Sequence, residues 1–155
     1  MRAGRRRPAI PAAAVAAAAA AGVTAMATLA STLWSAHGAG DVVEWNLAGG
    51  YPVRRFAGPG SLGGAGGGGG AALWVRALAV HGRVLLGGTA WGSAVPHAGG
   101  GADAAVVRWE MDREEAGGGA AAPAAVMAQA EDVWSLVTRD GRVWAAVGRE
   151  VLLWE

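Results

Sequence analysis

From Val23 onward, short apolar runs alternate with breaks built from Gly, Asp and Pro. Apolar residues spaced for a helix would recur at intervals of three and four, so this pattern predicts strands. In one stretch VRALAV (75–80) is a strand, His81-Gly82-Arg83 a tight turn, VLLGGT (84–89) a second strand and AAVVRWEM (104–111) a third. Further on the same three places are held by VWSLV (133–137), RVWAAV (142–147) and EVLLWE (150–155). Between the first two of these, Asp140-Gly141 supplies the positive φ values of a short hairpin turn. The runs are apolar at consecutive positions rather than alternate ones, which predicts sheets covered on both faces.

Three stretches can be laid over one another. They open Val-x-[Ala/Ser]-[Met/Leu] at Val23, Val75 and Val133 and close on a Trp at Trp45, Trp109 and Trp154. The second is lengthened by an insert, WGSAVPHAGGGA (91–102). Self-similarity at this spacing points to a repeat architecture. The predicted organisation is a basic Ala-rich leader or tail (1–22), repeat one (23–58), a Gly-rich linker (59–72), repeat two (73–130) with its loop insert (91–102), and repeat three (131–155). The third repeat closes on Trp154 and is expected to lack an outer strand. A softer break is expected at AGGGAAAPAA (116–125).

Residues 1–22 carry Arg2, Arg5, Arg6 and Arg7, no acid and an alanine-rich run, the outline of a disordered or helical targeting leader. The uncharged stretch 8–36 is long enough to span a bilayer. Alanine drives insertion weakly, however, and Val23 to Trp34 is already explained as a strand pair, so a membrane is not expected as a partner. As a tail, this segment favours the cytoplasm; as a leader, an organelle or secretion.

Composition narrows the chemistry. Of 155 residues 53% are hydrophobic, much of that alanine, and eight Trp carry a large share of the apolar mass. Net charge is +1, so no global field recruits nucleic acid. There is no Cys, which removes disulfides and thiolate metal sites together.

The segment DVVEWNLAGGYPVRRFAG (41–58) resembles the end of a WD40 repeat: a strand ending in Trp, an amide or acid, Leu, a Gly turn, and an outer strand of the type PVRRF. Trp45-Asn46, Trp109-Glu110 and Trp154-Glu155 stand where that family has Trp-Asp, and Asp103 precedes Trp109 at the family's spacing for its turn aspartate. Trp45, Trp109, Trp154 and Asp103 are thus the structural repeat positions. The Gly-His pair that precedes the first strand in the family is absent from all three copies, so the hydrogen-bonded network of family blades is not expected here. The resemblance implies an all-β chain: a partial WD40-like β-propeller of about three blades. A ring needs typically about 4 to 8 such units, so assembly with further blades is a possibility it raises.

Catalytic signals are sparse. His37, His81 and His97 are dispersed and read as turn or loop residues; Asp41, Asp103 and Glu150 read as turn formers before third strands. The Gly run 63–70 lacks the flanking strand, helix and Lys of a phosphate loop, and Ser93 lacks a nucleophile elbow. Repeat-position Trp residues suit packing, which leaves Trp91, inside the insert, as a candidate contact together with His97. Arg54 and Arg55 read as a solvated edge or, alternatively, as contacts for an acidic peptide. The expectation is a non-catalytic protein-interaction scaffold, with no cofactor and no metal, part of a longer propeller protein, whose protein partner the residues do not identify. The alternatives are a propeller enzyme with a central-channel site and a truncated product without independent function.

Overall fold

The computed structural model describes residues 22–38, 40–58, 73–91, 104–112, 120–129 and 131–154. Those residues form an all-β chain of eleven strands in three antiparallel sheets, with no helix among them. The first sheet orders β1 (Val23–Leu29), β2 (Thr32–His37), β3 (Val42–Asn46) and β4 (Tyr51–Phe56). The second orders β5 (Leu73–His81), β6 (Val84–Trp91), β7 (Ala104–Glu110) and β8 (Ala125–Gln129). The third has three strands, β9 (Val133–Arg139), β10 (Arg142–Val147) and β11 (Glu150–Trp154). Each sheet is a meander in which sequence neighbours pair, and the three make a partial, propeller-like all-β fold.

The expected strands of the second and third repeats all form. β8 is the outer strand implied for the second repeat, at residues the pattern does not pick out: AVMAQ offers only a short apolar alternation beside a stretch expected to be a soft break. Part of that break is ordered by main-chain bonds. Ala121 is buried, bridges Phe56 in parallel and exchanges hydrogen bonds with the main chain of Arg55 and Ala57. The leader 1–22, apart from Gly22, the linker 59–72 and the insert 92–102 lie outside the described residues.

Register makes the repeats superimposable. The closing Trp of each third strand pairs with the same place on the second strand: Trp45 with Leu33, Trp109 with Leu85, Trp154 with Val143. The first strand of each sheet also carries a register irregularity one residue after the Val that opens its repeat, between Val23 and Ala25, between Val75 and Ala77, and opposite Ala146/Val147. Thr24, Arg76 and Trp134 are the residues thrown out of register.

Because side chains alternate across a strand, each sheet has a leading face toward the next sheet and a trailing face toward the previous one. One core lies where the leading face of the first sheet (Trp34, Ala36, Val42, Phe56) meets the trailing face of the second (Val75, Leu78, Leu85, Val107, Trp109). Phe56 and Trp109 meet edge to face at 6.3 Å, a geometry worth about 0.5–1.5 kcal/mol beyond burial. A second core joins the leading face of the second sheet (Ala77, Ala79, Leu86, Val106) to the trailing face of the third (Val133, Leu136, Val143, Ala145, Val147). Gly88 permits that approach, since a Cβ there would stand 2.4 Å from Cγ1 of Val133. The expected cover on both faces therefore holds for the middle sheet. The third sheet is covered on its trailing face, while Val137, Trp144, Val151 and Leu153 are exposed on the other.

Candidate functional site

Two polar clusters and one apolar surface stand out. At the end of β2, Ser35 and His37 project on the trailing face of the first sheet, where Trp45 crosses from β3. The Trp45 indole N–H donates to Ser35 Oγ at 2.7 Å, and Ser35 Oγ lies 2.9 Å from His37 Nε2. Indole can only donate, so the hydroxyl accepts from Trp45 and serves His37 with its proton or its second lone pair, according to the imidazole tautomer. Both Ser35 and His37 are buried, and the shared hydroxyl ties β2 to β3. His37 thus belongs to a strand rather than to the loop anticipated for it. The absent Gly-His pair removed the expectation of a hydrogen-bonded network, yet the first sheet builds one from a His two residues beyond its Ser.

The same cell is filled differently elsewhere. Gly87 takes the place of Ser35 in the second sheet, and a Cβ there would meet the Trp109 ring at 2.7 Å. Trp109 instead donates across the inter-sheet junction to the carbonyl of Ala57 at 2.9 Å. In the third sheet Ala145 occupies the place, against Leu152 and Trp154.

The second cluster holds the two arginines of β4. Arg54 donates through Nε (3.0 Å) and Nη2 (2.9 Å) to Glu44 Oε2, and its guanidinium lies 4.4 Å from the Phe56 ring centroid. Arg55 donates to Asp41, whose other oxygen accepts the Gly58 N–H at 3.1 Å. Arg54 is largely buried and Arg55 half-exposed. Both stand on the edge strand β4, as expected; Arg54 is less solvated than an edge residue would be, and the charges of the two are met by Glu44 and Asp41. At the turn before β3 the Asp41 carbonyl accepts the His37 N–H at 2.9 Å. Glu150 is exposed at the start of β11.

Of the other candidates, Trp91 ends β6 and its side chain lies outside the described residues, as do His97 and Asp103. Trp109 is fully buried, and Trp45 and Trp154 are partly buried, as packing residues should be. Trp144 and Trp134 are exposed, although Trp144 stands on its second strand where Trp34 stands in the first repeat, a position that suits packing. Among the described residues, no three His, Cys, Asp or Glu converge on a metal-sized site. No helix among them is long and apolar enough to cross a membrane.

The apolar surface is the leading face of the third sheet. Val137, Trp144 and Leu153 stand in one row across β9, β10 and β11; Ser135, Ala146 and Val151 form the next. Trp134 borders them, with the Arg76 guanidinium 5.1 Å above its ring. Three repeats fall short of a ring, so an open sheet face is expected at each end of the array, but sequence patterning marks these residues only as strand interior and does not say which of them form that face.

No family model matches the chain, and no curated protein matches it. The chain is similar to the computationally designed Ika4 protein, at 16% identity over 86% of this chain and 91% of that one, with a TM-score of 0.42. It is also similar to the computationally designed Ika8 protein, at 16% identity over 85% of this chain and 45% of that one, with a TM-score of 0.41.

Proposed function

We propose that this chain is a WD40-like propeller segment acting as a non-catalytic protein-interaction scaffold, with the leading face of the third sheet as its contact surface. The observation that carries the reading is the contiguous exposure of Val137, Trp144, Val151 and Leu153 on one sheet face, bordered by the exposed Trp134. Aromatic and aliphatic side chains gathered in this way gain free energy when a partner removes them from water, and Trp is the residue most enriched at binding hot spots. The WD40 reading is supported by the four-stranded meanders and by three third-strand Trp residues at one register position.

The test is quantitative affinity capture from a cell extract, comparing the wild-type chain with Trp144→Glu. A defined set of proteins retained by the wild type and depleted in the variant is the expected result. Equal recovery by both overturns this assignment of the surface.

A further inference from the structure

We infer that the open leading face of the third sheet is covered by the trailing face of the first sheet of a second copy, so that two chains close one ring of six sheets. The inference rests on reading that face as an interaction surface and names its occupant. The template is internal, because the chain already makes this junction twice.

Several equivalent positions differ in burial according to whether a neighbouring sheet covers them. On the leading faces, Trp34 is 4% exposed but Trp144 is 40%, and Val106 is 1% exposed but Val151 is 68%. On the trailing faces, Leu78 is 8% exposed whereas Met26, at the same place on β1, is 66%. Each chain thus displays one unsatisfied surface of each kind. Further out on the trailing face of the first sheet, Ser35, His37 and Val43 are already buried. The contact therefore centres on the inner strand, on Val23, Met26 and Thr28.

Two polar details point the same way. Thr138 Oγ1, on the trailing face of the third sheet, donates to the Val80 carbonyl of the second at 2.8 Å. Thr28 occupies the corresponding place on β1, opposite Leu33 as Thr138 is opposite Val143, and it is exposed. It is positioned to donate to the corresponding carbonyl, that of Thr138, in a second copy. The out-of-register residues form a parallel series. Thr24 Oγ1 donates forward to the Val75 carbonyl at 2.5 Å, and Arg76 reaches forward to the Trp134 ring. Trp134 is next in that series and is exposed.

Stoichiometry follows from closure. Head-to-tail contacts form rings where the rotation closes, and propeller rings contain typically about 4 to 8 sheets. The described residues supply three sheets, so two copies bring six, within that range, and three copies bring nine, beyond it.

Light scattering coupled to size-exclusion chromatography of the full chain tests this. The wild type should elute at twice the chain mass. Trp144→Glu and Met26→Glu, on opposite faces, should each be monomeric, and mixing them should restore a dimer through the one intact pairing. Thr28→Val, which alters only an exposed hydroxyl, should raise the dimer dissociation constant about fivefold and carries the test where a glutamate variant fails to melt cooperatively. A monomeric wild type at all soluble concentrations overturns the inference, as do filaments, or a dimer indifferent to Met26→Glu. A monomer whose captured proteins are lost in Trp144→Glu removes the ring and leaves the scaffold reading standing; a dimer with equal capture does the reverse.

Discussion

A single hydrogen at Gly88 sets how closely the second and third sheets approach. The Val133 side chain occupies the space a methyl group would need, and the first and third sheets have Ala36 and Ala146 at the corresponding place. Overpacking a core of this kind costs about 1–3 kcal/mol, so Gly88→Ala should lower the thermal midpoint by several degrees. Differential scanning calorimetry checks it; an unchanged midpoint would mean that the sheets slide apart freely. Gly88 illustrates what was illegible at this scale. In a chain with 27 Gly, the Gly87-Gly88 pair inside VLLGGT carries no mark that one glycine faces Trp109 and the other Val133. Alternation along a strand assigns opposite faces to neighbours, but only the stacking of sheets says what each face meets. His37 is the same case, since alternation puts it on the face of Ser35 but only the folded sheet brings Trp45 to the hydroxyl that the two share.

At the scale of elements, the turns are where local chemistry governs. Asp140 (φ 51°) and Gly141 (φ 77°) adopt the left-handed pair that Asp-Gly forecasts, and the hairpin β9–β10 follows. The β1–β2 turn reaches the same region with Ala30 at φ 52°, an alanine held where its Cβ is disfavoured. Asn visits this region readily, so Ala30→Asn should stabilise the fold by about 0.5–1 kcal/mol in chemical denaturation. A decrease in stability would show that Ala30 packs in a way its exposure does not suggest. The strands of the second and third repeats were legible because apolar runs and turn residues are properties of consecutive residues. β8 was not, since AVMAQ is short and its pairing partner β7 stands well before it in the chain. The arginines of β4 were legible as strand residues but not as paired ones, because Glu44 and Asp41 come beside them only through the β3–β4 register.

Across the whole molecule, protection should follow cover. The middle sheet has neighbours on both faces, whereas the first and third each have one within the chain. Amide hydrogen exchange under native conditions should therefore be slowest in β6 and β7, because their opening exposes both cores. Mass spectrometry of exchanged peptides provides the measurement, and faster exchange in β6 than in β1 would contradict it.

By itself the amino-acid sequence determined that the chain is β throughout its patterned region, that the units recur from Val23, Val75 and Val133, and that a Trp closes each third strand. These are consequences of side-chain size, period-two geometry and turn chemistry, all of them local. Tertiary structure alone decided which Trp residues are buried, which charges are paired, and which side chains make up the uncovered apolar face of the third sheet. Burial depends on what lies across a sheet face, and that neighbour is brought there by stacking over residues distant in the chain.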